Sequence, residues 1–595
     1  MKPKISKSTA IFIALTLLSI LTTACNRRVS NFDQTFSPNP ISAVGASRNT
    51  LTYAQLTGGF ESPSPVDNAA LAIPLQASPP AHVFEGSLEL LNESSNGNFL
   101  LLNGRPNATA TIQHLPDFDF EFVQSDGHLI PTQRGLIITD HPYWNYILEP
   151  GRVWQEDSDQ GFSRASFPFA LVRKGHNAAV NGVMTFVFDD DEISKVWYQI
   201  TQETYSSLTA DIWGLLDANY QSHPVADSTQ IQNAFDQELA DRIPVKPIEQ
   251  LAEDYPEVDL SAFGNGVTPE NMTWYGFVIN GVNYVGGCQT RYGLYPYCES
   301  MRAPSYSTAK SAFVSLAMMR LTQKYGITVP ELLIKDYLPE AEIGFSDWST
   351  VTFNNTLDMA TGNYRSPIHM IDELRFITDP IWFGSSSDQI IAEAFLWPSS
   401  EPPGNRWVYH TSDTIILTAA MQNYLKSVEG PDSDIFQFVV DEIYKPLNMS
   451  PGGFTTLRTR DNNWQGNPYG GLGLWWIPDD LAKIGSLLIV DDGEIDGEQI
   501  LHPELLAATL QQSPNDRGVD RGRNEKYNNA FWASPYSPSD GYDCEFWVTQ
   551  MQGFSGILVA LFPNGSIYYY ASDNRDFTWD AALRETDKII PLCQF

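Results

Sequence analysis

The sequence predicts an α+β fold, in which an antiparallel sheet flanked by helices, with a helical subdomain, is preceded by an all-β domain. Three observations predict it. Residues 83–205 are short apolar runs separated by turn signals, and residues 206–265 turn polar with helical patterning, as in IQNAFDQELADRI. Residues 266–595 begin and end in strand-like runs and carry helical periodicity between them. A chain of 595 residues also exceeds the roughly 250–300 residues at which a single core stops growing.

Within 83–205 the runs GSLELL, GLIITD, FPFALV, NGVMTFVF and KVWYQI are punctuated by Asn181-Gly182 and FDDDE, which read as turns. That rhythm predicts an all-β accessory domain in the form of a sandwich. Residues 206–265 read as a helical connector. In 266–595, TWYGFVINGVNYVGG is a hairpin, because Asn280-Gly281 is a strong type I′ signal between apolar strands. STAKSAFVSLAMMRLTQKYG follows as a helix, with Phe313, Leu316, Ala317 and Leu321 at helical spacing and Gly326 as its stop. The chain returns to strands at FWVTQMQ, GILVALF and SIYYYAS, with Pro563-Asn564-Gly565 as a turn, and closes with a helix at TWDAALRETDKII. Strands at both ends imply one sheet assembled from the two termini of this region, with a helical insertion.

The first residues read as an export signal, with Lys2, Lys4 and Lys7 before the apolar run Ile11 to Leu21, which is too short to prefer spanning a bilayer. TTAC then precedes Cys25. This resembles a bacterial lipoprotein signal, which implies lipidation of Cys25 and, through Asn26, transfer to the outer membrane. Thr22 departs from the usual Leu, and the alternative is an ordinary signal peptide cut near Ala24. Residues 26–82, rich in Ser, Pro, Asn, Ala and Thr, read as a flexible tether. The expected location is the cell envelope, with membrane contact through the lipid anchor only.

A formal net charge of −35 argues against nucleic acid and anionic lipid as partners. Apolar residues at 42% and charged residues at 18% exclude wholesale disorder. Of five cysteines, Cys25 is assigned to lipid. The remaining four suit an oxidising compartment, paired as Cys288–Cys298 across a short loop and Cys544–Cys593 at the C-terminus. No Cys/His spacing suggests zinc, and neither metal nor cofactor is expected. The oligomeric state stays open.

The most informative stretch is PSYSTAKS, which sets Ser307 and Lys310 three apart at the start of a helix and so on one face. A serine hydroxyl needs a neighbouring base before it attacks a carbonyl, and a lysine whose ammonium is destabilised by burial can be that base. The helix N-terminus adds backbone N–H groups for a developing oxyanion. There is no G-x-S-x-G elbow and no H-E-x-x-H. His410 neighbours Tyr409 and so faces the other way along an extended segment.

Further segments fall in a consistent order: VTFNNTLDMATGNY, PPGNRWVYHTSDTIILTAAM, VVDEIYKPLNM, GGLGLWWIPDDLAKIGSLLI and GFSGILVALFPNGSIYYY. With PSYSTAKS they resemble the class C β-lactamases and, more widely, the penicillin-recognising serine hydrolases, including family VIII carboxylesterases, D-aminopeptidases and 6-aminohexanoate-oligomer hydrolases. The resemblance covers nearly all of 266–595 and nothing of 83–265. It implies a β-lactamase/transpeptidase-like catalytic domain with Ser307 as acylated nucleophile, Lys310 as its base and Tyr409 as proton relay. It places the third motif at Phe554-Ser555-Gly556 and the oxyanion hole at the backbone N–H groups of Ser307 and Ile557.

Two departures bear on substrate. Thr411 stands where the second motif usually has Asn, and Phe554 where the third usually has a cation. The expected substrate is therefore a small ester or amide, esters favoured, in an apolar pocket without a fixed cation unless Arg302 or Arg406 reaches it. The alternatives are a D,D-peptidase or β-lactamase, and a non-catalytic cell-surface binding or adhesion lipoprotein.

Overall fold

The computed structural model describes residues 51–58, 64–75, 77–91, 95–101, 110–342, 346–382, 384–522 and 524–594. The export signal, Cys25 and Asn26 lie outside the described residues.

The first sheet holds β1 (Gly86–Leu91), β2 (Asn96–Leu101), β3 (Asp119–Ser125), β4 (His128–Pro131), β5 (Gly135–Ile137), β6 (Trp144–Leu148), β7 (Gly151–Gln155), β8 (Ser163–Arg173), β9 (Ala179–Phe188), β10 (Val196–Thr204) and β11 (Leu208–Ser222). The expected sandwich is instead a closed barrel. The antiparallel ladder runs β8-β7-β4-β3-β1-β11-β10-β9, and β9 pairs back onto β8 from Ser163↔Phe188 to Val172↔Ala179. Closure removes the open edges that a sandwich would leave.

Both faces of β8 and β9 are buried. Phe167, Phe169 and Leu171 point into the barrel core with Met184, Phe186 and Phe188. Ala170, Val172, Ala179, Val183 and Val187 point outward into a second core shared with the rest of the chain. That double burial is why these strands read as continuous apolar runs rather than alternating ones.

Three expected boundaries move. Asn181-Gly182 is no turn but lies inside β9, paired with Ala170 and Phe169. A Cβ on Gly182 would come within 2.7 Å of the Phe169 ring, so this glycine serves close packing. The connector loses its first third to β11, whose alternating burial lines the barrel with Leu208, Ala210, Ile212 and Leu216. From the region read as tether, Leu51, Leu56 in α1 (Tyr53–Gly58) and Leu71 are buried against the barrel. Their carbonyls satisfy buried barrel groups: Arg164 donates to Leu51 O at 2.7 Å and Ser166 Oγ to Leu71 O at 2.7 Å. The expected helix within IQNAFDQELADRI is present as α2 (Ser228–Ala240).

The second sheet has nine strands: β12 (Val245–Pro247), β13 (Met272–Ile279), β14 (Val282–Gly287), β15 (Val519–Gly522), β16 (Glu525–Asn528), β17 (Phe531–Tyr536), β18 (Phe546–Gly553), β19 (Ile557–Leu561) and β20 (Ile567–Ser572). Their order is β12-β14-β13-β20-β19-β18-β17-β16-β15, antiparallel except for β12 on β14. The junction β13–β20, with Tyr275 opposite Tyr570, joins the two ends of 266–595 into one sheet as the sequence implied. Asn280 and Gly281 both have positive φ, 50° and 73°, as a type I′ turn requires.

Helices α3 (Leu316–Tyr325), α4 (Thr411–Glu429) and α5 (Pro478–Ile489) contribute to the core on one face of this sheet. On the other, α6 (Asp580–Ile589) packs Ala582 and Leu583 with Phe277, Leu558 and Tyr568. This is the predicted α+β architecture of sheet, flanking helices and helical insertion. Both predicted disulfides are present, with Cα separations of 5.7 Å for Cys288–Cys298 and 5.6 Å for Cys544–Cys593.

One hydrophobic core runs from the barrel's outer face, through Ile147, Val183 and Trp197, into Trp274, Met301 and the helices. Buried ions cross the same boundary: Arg302 pairs with Glu149 at 2.6 Å and Asp480 at 3.2 Å, all three nearly inaccessible. Removing one member of such a group strands a buried charge, at a cost of about 3–5 kcal/mol.

Candidate active site

Ala303 and Pro304 pair with Trp476 and Trp475, and Ser305 N donates to Leu474 O at 2.8 Å, so a short two-stranded ladder delivers the chain to Ser307. Tyr306 has φ 42°, a left-handed conformation costing a non-glycine residue about 1–3 kcal/mol. The turn it creates directs the next side chain outward. Ser307 is the single partly exposed residue between Met301 and Thr322. Its backbone N–H has no hydrogen-bond partner among the described residues. The helix beyond it starts with a π-helical turn, Lys310–Ser315, before α3.

Lys310 Nζ donates to Ser307 Oγ at 2.8 Å, to Thr411 Oγ1 at 3.2 Å and to Gly471 O at 3.2 Å. Burial lowers its pKa to about 7, against the opposing pull of Glu373 and Asp413. Tyr409 OH donates to the same Ser307 Oγ at 2.8 Å. Burial, reinforced by Glu373, pushes the Tyr409 phenol well above its usual range. The environment thus favours a neutral phenol at Tyr409 and a readily neutralised amine at Lys310.

Three residues that sequence reasoning passed over complete the first layer. Glu373 accepts from Thr411 N at 2.7 Å and from Thr411 Oγ1 at 2.9 Å. Thr411 Oγ1 is therefore engaged by Lys310 on one side and Glu373 on the other. Gly471 must be glycine, because a Cβ there would lie 2.5 Å from Thr411 Cγ2 and 3.6 Å from Lys310 Nζ. The doubled glycine in GGLGLWW was the available signal. Asp372 accepts from or shares a proton with His410 Nε2 at 2.9 Å. His410 lies flat on Trp397, with ring centroids 4.5 Å apart, so it faces away from Ser307 as expected. Burial opposes its charge, but Asp413 and Asp372 raise its pKa to about 9. Nothing in the sequence around Asp372 and Glu373 signals these contacts.

An aromatic wall backs the tyrosine. Tyr409 stacks on Trp532 at 5.9 Å, Trp407 lies edge-on at 6.1 Å and His369 at 6.2 Å.

The third-motif region requires corrections. Phe554-Ser555-Gly556 is the hairpin turn between β18 and β19, with Ser555 at φ 72° and Gly556 at φ 104°. Ile557 is paired on both sides, with Gly553 of β18 and Ala571 of β20, which leaves it no free edge toward Ser307. The open edge belongs to the end of β18, because pairing with β17 stops at Trp532↔Gln550. That end abuts the nucleophile turn: a Cβ on Gly553 would come within 2.5 Å of Ser305 O and 3.3 Å of Thr308 Cγ2. Phe554 N, next along the chain, has no hydrogen-bond partner among the described residues.

Phe554 is 44% exposed, edge-on to Tyr306 at 5.4 Å. A cation does stand beside it, contrary to expectation: Arg575 lies over its ring at 5.1 Å and donates to Ser206 Oγ at 3.1 Å. Arg302 is buried in its ion pairs, and Arg406 pairs with Glu401 at 2.6 Å. Neither reaches Ser307. Among the described residues no group of three or more His, Cys, Asp or Glu is arranged to hold a metal ion, and no helix is long and apolar enough to cross a membrane.

No family profile matches the chain, and no curated protein does. It is similar to the solved structure of a penicillin-binding-protein homologue from Caulobacter crescentus, at 15% identity and TM-score 0.39 over 60% of this chain and 97% of that one. It is similar to EstCE1, a hydrolase with promiscuous acyltransferase activity, at 15% identity and TM-score 0.39 over 60% and 98%. A class C β-lactamase is similar at 14% identity and TM-score 0.37 over 62% and 98%. The placement of each side chain above stands on its contacts in this chain.

Proposed function

We propose that this protein is a serine hydrolase that cleaves a small ester or amide through an acyl-Ser307 intermediate. The observation that carries the proposal is the meeting of Lys310 Nζ and Tyr409 OH on Ser307 Oγ, each at 2.8 Å. A purely adhesive protein has no need of a partly exposed serine on a strained turn with a buried lysine of lowered pKa behind it.

In its neutral form Lys310 keeps two N–H bonds, to Thr411 Oγ1 and Gly471 O, and these aim its lone pair at Ser307. The Ser307 proton passes to Nζ as Oγ bonds to the substrate carbonyl carbon. The carbonyl oxygen becomes an oxyanion facing the free N–H of Ser307 and, in our reading, that of Phe554. One such donor is worth about 10²–10³ in kcat. Collapse breaks the bond to the leaving group, which takes a proton from Tyr409 OH while the Lys310 ammonium reprotonates the phenol. Water then repeats the sequence on the acyl-enzyme, with Ser307 as leaving group.

Thr411 Oγ1 is held between Lys310 and Glu373 and is not free to bind a substrate amide, which favours esters. The sequence further supports export and anchoring through a lipidated Cys25, and Cys25→Ser should move the protein to the soluble fraction. The hydrolase reading is tested by a fluorophosphonate probe: wild type should be labelled and Ser307→Ala should not. An unlabelled wild type, or full labelling of Ser307→Ala, rules out Ser307 as nucleophile.

A further inference from the structure

The barrel enters the active site through one side chain. Asn177, in the loop between β8 and β9, is 1% exposed and lies 128 positions before Ser305. Its Oδ1 accepts from Tyr306 N at 2.7 Å, from Ser305 Oγ at 2.8 Å and from Gly473 N at 2.9 Å. Its Nδ2 donates to Leu474 O at 2.8 Å. Ser305 Oγ in turn accepts from Leu474 N at 3.0 Å.

Both segments so clamped carry the chemistry. The 303–306 segment ends at Ser307, and its left-handed residue Tyr306 has its N–H taken up by Asn177. The 473–476 segment begins two residues after Gly471, whose carbonyl orients Lys310. A second barrel loop braces the neighbouring turn: Ser206 N donates to Ser555 Oγ at 3.3 Å, and Tyr205 stacks on Tyr306 at 6.5 Å.

We propose that the barrel is a working part of the catalytic site rather than an accessory binding module, and that Asn177 is a positioning residue that fixes Ser307 relative to Lys310. An amide is suited to this place because one oxygen gathers three donors while the nitrogen supplies the fourth bond, which no hydroxyl or aliphatic side chain does. A misplacement of about 1 Å between reacting groups costs on the order of 10²-fold in rate.

The proposal rests on the hydrolase reading, so the experiment includes a readout that does not. In the full-length protein, Asn177→Leu and Asn177→Asp are compared with wild type by kcat and KM on a p-nitrophenyl ester. Amide hydrogen exchange of peptides covering 303–307 and 471–476 is measured alongside. Asn177→Leu should lower kcat by about 10²-fold, with KM changed less than about threefold, and speed exchange in both peptides. Asn177→Asp keeps the acceptor oxygen and, protonated by burial, the donor as well, so it should recover at least about tenfold of that loss. A folded Asn177→Leu with wild-type kcat and exchange overturns the proposal, as does a loss confined to KM. If Asn177→Leu does not fold, Asn177→Ser, whose single short hydroxyl cannot replace the four amide bonds, decides: faster exchange and a kcat loss support the role, wild-type behaviour in both overturns it. A wild type that neither turns over the ester nor takes the fluorophosphonate label removes the hydrolase reading, and exchange alone then tests the clamp.

Discussion

Lys310 Nζ and Tyr409 OH donate to one oxygen, Ser307 Oγ, at the same distance of 2.8 Å, yet their environments push them in opposite directions. Burial lowers Lys310 to about 7 and raises Tyr409. In the proposed mechanism, two titratable groups driven apart in this way divide the roles of base and acid between them. No phenolate is needed at Tyr409 for this division.

The first prediction is a pH profile. Lys310 acts as base only when neutral, so kcat/KM should rise through an apparent pKa near 7 and level off above it. Glu373 holds that value up, so Glu373→Gln should move the rising limb to lower pH. A limb that stays in place in Glu373→Gln would show that the carboxylate does not act on Lys310.

Lys310→Ala and Tyr409→Phe should each lower turnover by about 10²–10⁴-fold. The double variant should lose little more than the worse single one, because both act on one atom in one step. Steady-state rates of the three variants check this. Multiplicative losses would mean two independent contributions.

A third prediction concerns stability. Asp358 is buried beneath the site, accepting from Asn529 N at 2.6 Å, and Ser311 next to Lys310 bonds the following carbonyl, Ala530 O, at 2.7 Å. Burial, with Asp516 adding to it, raises the Asp358 carboxyl to about 8. The ordinary value is about 3.9. A folded-state pKa above the unfolded one means its contribution is complete below about pH 4 and is lost as pH rises through about 8. Asp358→Asn should therefore flatten the fall in melting temperature between pH 5 and pH 8.5. Scanning calorimetry at the two values decides it, and parallel losses in both proteins would refute the assignment.

Much of this site was legible because its chemistry is local. Ser307 and Lys310 share a helical face at i, i+3, and Tyr409 precedes a helix start, so residue type and spacing sufficed. The catalytic sheet was legible for the same reason, since Asn280-Gly281 and Pro563-Asn564-Gly565 fix hairpins by turn chemistry alone. What escaped was non-local. Asn177 and Glu373 reach their partners across the fold, and neither lies in a motif. The barrel closes through the β8–β9 pairing, and burial on both faces of those strands erased the alternation that marks a sheet with one wet side. The pairing of Ile557 on both sides escaped because register, not composition, decides which residue at the end of β18 keeps a free edge.

The last prediction is substrate class. A substrate carboxylate held near Ser307 would meet Glu373 behind Thr411, and Lys310 must be neutral to act. Two further cations flank the site: Arg521, over the Trp532 ring at 4.4 Å and paired with Glu525 at 2.9 Å, and Arg575, exposed on the ring of Phe554 and bonded to Ser206. A pair formed at such an exposed position is worth about 0.2–1 kcal/mol, or at most about fivefold. Leaving a carboxylate partly desolvated without a partner costs several kcal/mol. Neutral short-chain esters should therefore outrun anionic lactams, measured as kcat/KM for p-nitrophenyl butyrate against nitrocefin on one preparation. Arg575→Ala should leave the ester rate unchanged and lower the nitrocefin rate by no more than about fivefold. Faster nitrocefin turnover in wild type, abolished by Arg575→Ala, would instead make the guanidinium a dedicated carboxylate anchor and move the activity toward lactams and peptides with a free carboxyl terminus.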